Sequence, residues 1–498
     1  MGHPTRAVAR STRGIVASPH ASASAVGVEV LRRGGNAVDA AVATNAVLAV
    51  VYPASCGIGG DAMWMVYEPR DGAVACYNGS GAASAALEAK ILKARGIDRM
   101  PQRGALSVTV PGAVRSWETV LAAHGRTSLD ALLVPAERYA RDGFAVTDVV
   151  AASFARAEAL LLADPEATAL FLRRGLPAAG DVLRNAPLAD VLCAIRERGA
   201  SALYDGPIAD AIAGTVARGG NPMTSADLAS ARTERTDPLR VAWRGLDVLA
   251  MPPNSQGSLA LMVLGALADD RPNGSDWHHL AVEAFKRAYG VRDRWFGEPA
   301  AMPRPAGEHL TQSALGALRA EIGERAAPFG GTTVRGGTVA IACVDEDGCA
   351  VSLIQSLYMG FGAGIVAEGT GIVLHNRGAY FSLQAGSPNE LRGGHRPLHT
   401  LSPGMALRRD VPELVYGTMG GDGQVQTHVQ LLRNVYDLGM DVQTALDAPR
   451  FVYGRDGASE FAGTVREMTV FLRAQSELRP RVERCEREIE ELKRAAGR

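Results

Sequence analysis

Lysine is nearly absent from this chain. Only Lys90, Lys93, Lys286 and Lys493 occur among 498 residues. None sits in a G-K-[ST] context, which excludes the phosphate-cradling loop of P-loop nucleotidases. A pyridoxal-phosphate enzyme needs a Schiff-base lysine. Lys286, inside the helical-looking EAFKRAYG, is the one mid-chain candidate and a poor one. An excess of either charge is also lacking: 52 Lys+Arg against 53 Asp+Glu leave a net charge of −1. Nucleic-acid binders normally carry a basic excess. Six cysteines form no CxxC pair, and a chain this long needs no disulfide staples. The longest apolar run, residues 259–268, is half a membrane span. The opening MGHPTRAVARSTRGIV has no apolar core of a secretory signal. These absences predict a soluble, cytoplasmic protein that binds neither nucleic acid nor membrane.

Metal and serine chemistry also lack their patterns. The ten histidines include no HExxH and no H-x-H pair. His278 and His279 are adjacent, and read as strand neighbours they point to opposite faces. No metal and no cofactor is therefore expected. The serine-hydrolase elbow G-x-S-x-G does not occur; Asn78-Gly79-Ser80-Gly81 is one position out of register and reads as a turn. Cys343 and Cys349 read as buried structural thiols in two strands.

Glycine, by contrast, is abundant: 56 of 498 residues, about 11% against a usual ~7%. Residues 23–34 have helical spacing and stop at Gly34-Gly35. Asn36 then caps a second, alanine-rich helix that ends before Pro53. A hairpin follows, AMWMVYE and AVACYN around a turn at residues 69–72. Residues 110–235 read mostly as helix. Near residue 328 the pattern changes, and TVAIACV and CAVSLIQS form an antiparallel hairpin around Asp345-Glu346-Asp347-Gly348. Glycine-rich MGFGAG and YGTMGGDG come next, the latter before a helix, VQTHVQLLRNVYDLG. Helices mixed with antiparallel strands predict an α+β fold.

Gly336-Gly337-Thr338 opens the first strand of that late hairpin. A threonine hydroxyl is a weak nucleophile without an adjacent base. Made N-terminal, it acquires its own α-amine as that base. Such an amine titrates near ~8, well placed to take a hydroxyl proton. This chemistry requires a cut between Gly337 and Thr338. From local spacing alone, an ordinary strand start after a loop is the better reading, because short motifs are weak signals.

Four segments in order resemble the γ-glutamyltransferase family of N-terminal-nucleophile hydrolases. They are LRRGGNAVDAAVATNAVLAVVYPASCGIGGD, LSVTVPGAVRSWETVLAAHGR, TVAIACVDEDGCAVSLIQSLYMGFGAGIVAEGTGIVLHN, and HRPLHTLSPGM with GTMGGDGQVQTHVQLL. They span roughly residues 14–453. The resemblance implies an αββα four-layer sandwich with two central antiparallel sheets. It implies a proenzyme that cuts itself into a large subunit, residues 1–337, and a small one, 338–498, which stay associated in one structural domain. Thr338 matches the family's nucleophile and Ser356 its assisting hydroxyl. Gly420 and Gly421 match the paired glycines of the oxyanion hole, where one fixed donor is worth about 3 kcal/mol.

Departures from the family narrow the substrate. The arginine that clamps the substrate α-carboxylate is replaced by Gly79. The asparagine two residues after the assisting hydroxyl is Tyr358. In the L-N-N-Q-x-x-D segment the glutamine is Arg377, after Asn376, and the ammonium-binding aspartate is Tyr380. The paired serines are His399 and Thr400. Losing both charge partners argues against glutathione, since one such pair is worth about 2–5 kcal/mol. Arg377, helped by His399, offers a planar bidentate donor for a carboxylate. The pattern resembles the family's oxamate amidohydrolase and acylase branch.

The expected function is thus a self-processing threonine amide hydrolase or acyltransferase acting on a small carboxylate-bearing substrate. The alternative substrate reading is glutathione hydrolysis or γ-glutamyl transfer. Homo-oligomerisation is possible. Residues 464–498 read as a charged helical tail interrupted at Pro480, in place of the last family strands. That tail motivates a second expectation, an uncleaved homologue acting as a binding protein.

Overall fold

The computed structural model describes residues 7–271, 274–327, 336–453, 459–462 and 469–473. Two antiparallel sheets form its centre. The first has the spatial order Ile15–Ala17, Gly337–Val344, Ala350–Tyr358, Asp61–Glu68, Ala73–Gly79 and Glu234–Thr236. The second runs Thr469–Arg473, Val411–Thr418, Gly404–Arg408, Leu246–Ala250 and Leu239–Trp243.

Period-2 alternation sorts each strand's side chains into layers. Val339, Ile341, Cys343, Trp64 and Val66 face an outer helical layer built around the helices Ala37–Val51 and Ala113–His124. Ala340, Ala342, Met63, Met65 and Ile354 face the second sheet, against Met405 and Val415. The far side of that sheet, through Val248, Ala406 and Leu414, packs on Ser258–Ala266, Gly274–Trp295 and Gly423–Tyr436. The order is helices, sheet, sheet, helices: the expected αββα sandwich. Small residues set the spacing between sheets. A Cβ on Gly417 would stand 2.5 Å from Ile354 Cδ1.

The helix Ala37–Val51 is buried along its whole length, so it is apolar all round rather than amphipathic. Asn36 and Asp39 form a capping box at its start. Asp345, in the hairpin turn, accepts the Ala37 N–H at 2.9 Å and so ties this helix to the strand that begins at Gly337.

Two expectations need correction. Thr469–Arg473 is not part of a charged helix; it is a strand paired in register with Val411–Thr418. Its sequence, TVFLR, is β-branched and aromatic, and strand propensity outweighs the charges around it. The remainder of the predicted tail, residues 464–468 and 474–498 with Pro480, lies outside the described residues. His278 and His279 lie on the helix Gly274–Trp295, not on a strand.

Candidate active site

Thr338 begins its strand on the face that looks toward the second sheet, two positions before Ala340. Its side chain is buried. The partner strand carries a bulge between Gln355 and Tyr358, where the register shifts. A bulge re-aims local side chains, and here the Ser356 hydroxyl meets the start of the neighbouring strand. Thr338 Oγ1 donates to Ser356 Oγ at 3.2 Å. Ser356 Oγ donates to the Gly337 carbonyl at 2.6 Å. The Tyr358 N–H donates back to Ser356 Oγ at 2.6 Å. A hydroxyl offers one donor and two acceptor sites, so all three are used.

Gly420 and Gly421 follow the interior strand Val411–Thr418 of the second sheet and precede the helix Gly423–Tyr436. Both have left-handed φ, +118° and +57°, which glycine adopts without Cβ strain. The loop abuts the start of the Thr338 strand: a Cβ on Gly336 would stand 3.5 Å from Gly421 Cα. The Gly423 and Gln424 N–H groups donate to the Gly420 and Gly421 carbonyls at 3.0 and 3.2 Å. A helix N-terminus behind paired amides favours negative charge there.

Arg377 is 1% exposed. Its guanidinium lies over the Tyr358 ring, 4.0 Å from the centroid. Nη1 donates to Thr400 Oγ1 at 3.2 Å. Nη2, though buried, has no hydrogen-bond partner among the described residues. Burial lowers the Arg377 pKa from its usual value. The guanidinium is thus desolvated with one of its two terminal nitrogens unused.

The other expected pocket residues are placed differently. His399 uses both ring nitrogens inside the protein: Nδ1 accepts the Leu401 N–H at 3.2 Å and Nε2 lies 3.1 Å from Asp61 Oδ2. Burial, then the Arg377 charge, lowers its pKa to about 3, so the ring is neutral. It is engaged by the protein's own groups instead of assisting Arg377 directly. Asn376 is also occupied, accepting the Met359 N–H at 3.0 Å and donating to the Gln102 carbonyl at 2.7 Å.

Three groups beyond those expected from the sequence complete the arrangement. Asp61 pairs with Ser356 across the sheet. Its Oδ1 accepts the Gly81 and Gly112 N–H groups at 3.2 and 3.1 Å. Its Oδ2 lies 3.4 Å from His375 Nδ1 as well as beside His399. Burial alone would raise the Asp61 pKa, but the two imidazoles outweigh it and hold the carboxyl below its usual range. Asp422 is buried against Arg292 at 2.8 Å, and Tyr380 donates its hydroxyl to the same carboxylate at 2.6 Å. Arg292, the third group, stays charged, because Tyr380 and Asp422 outweigh its burial and raise its pKa well above the usual value. The signal for Asp61 and Asp422 was their place directly after glycine pairs, in GIGGD and MGGDG.

Gly79 has no room for a side chain. A Cβ there would stand 2.4 Å from Ser116 Cβ and 2.9 Å from the Ala62 carbonyl. The loss of the clamping arginine is therefore built into the packing of the strand on the helix Ala113–His124.

Two facing antiparallel sheets between helical layers, with a threonine opening a central strand, define an N-terminal-nucleophile hydrolase fold. The chain belongs to the gamma-glutamyltranspeptidase family, which matches residues 23–467, and it is an enzyme of the amidohydrolase and acyltransferase class. It is 39% identical over 459 residues to the glutathione hydrolase-like YwrD proenzyme of Bacillus subtilis, covering 91% of this chain and 87% of that protein. It is 37% identical over 466 residues to the oxamate amidohydrolase proenzyme of Klebsiella pneumoniae, covering 89% and 86%. The cephalosporin acylase of Bacillus halodurans superposes with a TM-score of 0.83 at 36% identity, covering 91% and 87%. No helix among the described residues is long and apolar enough to cross a membrane.

Proposed function

We propose that this chain is a proenzyme that cuts itself between Gly337 and Thr338 and then hydrolyses, or transfers the acyl group of, a small amide that carries a carboxylate. The observation that carries this reading is the hydrogen-bond chain from Thr338 Oγ1 through Ser356 to the Gly337 carbonyl. With its hydrogen directed at Ser356, Thr338 Oγ1 keeps lone pairs for the Gly337 carbon. Ser356 polarises the carbonyl oxygen on which negative charge develops. Addition followed by rupture of the C–N bond leaves an ester and a free α-amine, and water then releases Gly337 as a carboxylate. The products are residues 1–337 and 338–498, which remain one folded body because the cut strand stays paired on both sides.

In turnover the new α-amine takes the Thr338 hydroxyl proton, and Oγ1 attacks the substrate's acyl carbon. Gly420 and Gly421 hold the oxyanion. The leaving amine takes the proton, and water or a second amine releases the acyl group. Arg377 receives the substrate carboxylate, supported by its unpartnered buried Nη2. The names of the two curated relatives, a glutathione hydrolase-like protein and an oxamate amidohydrolase, bracket the substrate choice. Packing at Gly79 favours the second kind, an acid without an amino-acid head.

Intact masses of the denatured protein test the reading. Two chains are expected, one ending at Gly337 and one beginning at Thr338, and Thr338→Ala should remain whole and inactive on succinyl-p-nitroanilide. A cleaved, active Thr338→Ala protein would refute it. The binding-protein alternative loses part of its motive, since Thr469–Arg473 belongs to the central sheet.

A further inference from the structure

Gln256 precedes the helix Ser258–Ala266 and is fully buried. It lies far in sequence from the glycine pair, yet its Nε2 donates to the Gly421 carbonyl at 3.1 Å. The opposite end of the same amide, Oε1, accepts from Arg292 Nη1 at 3.1 Å. An arginine can only donate. Arg292 therefore fixes which way the Gln256 amide points: its oxygen must face Arg292, and its NH2 must face Gly421. Arg292 in turn is held by Asp422, the next residue of the same loop, at 2.8 Å. The Gln256 backbone is pinned as well, its N–H donating to the His399 carbonyl at 2.9 Å.

The consequence lies in peptide planes. The Gly420 carbonyl accepts the Gly423 N–H at 3.0 Å, which fixes the plane between residues 420 and 421. In a trans peptide the N–H points opposite the carbonyl, so the Gly421 N–H is directed away from the helix. The Gly421 carbonyl fixes the following plane through Gln424 and Gln256. Two glycines with left-handed φ could otherwise adopt many orientations. We propose that Gln256, oriented by Arg292, is a positioning residue: by holding the Gly421 carbonyl it fixes the plane between Gly421 and Asp422 and the ψ of Gly421, and so anchors the preceding plane, whose Gly421 N–H is presented to the reacting oxygen.

This inference rests on the proposed hydrolase reading for its catalytic consequence but not for its geometry. Two variants test it. Gln256→Glu sets a carboxylate oxygen against the Gly421 carbonyl, and Gln256→Met keeps the volume without the donor. Crystal structures of both should show the peptide between Gly421 and Asp422 turned from its original orientation. An unchanged peptide in both overturns the inference, whether or not the chain is cut. In the processed enzyme, kcat for succinyl-p-nitroanilide should fall about 100-fold, the scale of one lost oxyanion donor, with KM within about twofold. Self-cleavage should keep its original rate, because the Gly337 carbonyl is served by Ser356 rather than by this loop. Parallel loss of cleavage and turnover, or an unchanged kcat, overturns the positioning role. A wild-type chain that neither cuts itself nor turns over refutes the proposed function instead, and the two crystal structures then decide the inference.

Discussion

Replacing Ser356 by alanine should separate self-cleavage from folding. Its hydroxyl holds the Thr338 hydroxyl, the Gly337 carbonyl and the Tyr358 N–H at once. In Ser356→Ala the scissile carbonyl loses the donor that stabilises its developing charge. One such donor is worth about 2.7–4 kcal/mol, or 10²–10³ in rate. The Tyr358 N–H also loses its acceptor, which costs about 1–3 kcal/mol of stability. A domain stable by about 5–15 kcal/mol survives that loss. The folded variant should therefore accumulate uncut, while Ser356→Thr, which restores the hydroxyl, should cut at close to the original rate. Intact-mass time courses on freshly purified protein measure the rate, and thermal unfolding reports the fold. A folded Ser356→Ala chain that cuts as fast as the original would refute the polarisation argument.

Three further outcomes follow from the site. Arg377→Gln should lower kcat/KM for succinyl-p-nitroanilide by about 2–5 kcal/mol, roughly 30- to 5,000-fold, yet spare uncharged butyryl-p-nitroanilide; equal losses on both probes would remove Arg377 from carboxylate recognition. Gly79→Arg should not create γ-glutamyl specificity, because its Cβ meets Ser116 and the Ala62 carbonyl; it should destabilise by about 1–3 kcal/mol in urea unfolding, and a stable variant with new γ-glutamyl-p-nitroanilide activity would contradict the packing argument. His399 and His428 are both held neutral to about pH 3 by burial, so the unfolded chain takes up protons that the folded chain refuses. Their contribution is complete above about pH 6.5 and is lost as pH falls toward 3, at up to about 1.4 kcal/mol per pH unit each. His428→Phe, which keeps a ring against Tyr416, should flatten the urea stability profile between pH 6 and 4 by about that amount per unit; an unchanged slope would count against it.

The fold was largely legible because its strongest signals are local. The capped, alanine- and valine-rich helix Ala37–Val51 and the hairpin around Asp345 need only composition and turn chemistry to be recognised. The strand Thr469–Arg473 was hidden because its five residues sit among dense charges, and its stabilisation comes from pairing with a strand some fifty residues earlier. Thr338, Ser356 and the glycine pair lie on separate stretches; the family motif pointed to them together, and the structure brings Thr338 against Ser356 and the glycine loop against the start of the Thr338 strand. What no local pattern could supply was occupancy. His399 and Asn376 have the right chemistry for a substrate, but their polar atoms are already engaged by the protein.

The same accounting of partners argues for the kind of molecule the pocket takes. An amino-acid head group brings an ammonium, which needs a carboxylate with a free oxygen. Asp61 stands beside Ser356, but two backbone N–H groups and two imidazoles surround its oxygens. Asp422 follows the Gly420–Gly421 pair, but Arg292 and Tyr380 converge on its Oδ1 and hold it as part of the loop's scaffold. Tyr380, which the family resemblance sets at the place of an ammonium-binding aspartate, brings no carboxylate and engages that of Asp422. Arg377 faces the opposite situation: it is buried, charged, and has an unused Nη2. An ammonium placed here would meet cations without a free anion, whereas a carboxylate would give the buried Arg377 Nη2 the partner it lacks. Under the proposed function, a monocarboxylate amide would satisfy this balance and a zwitterion would not.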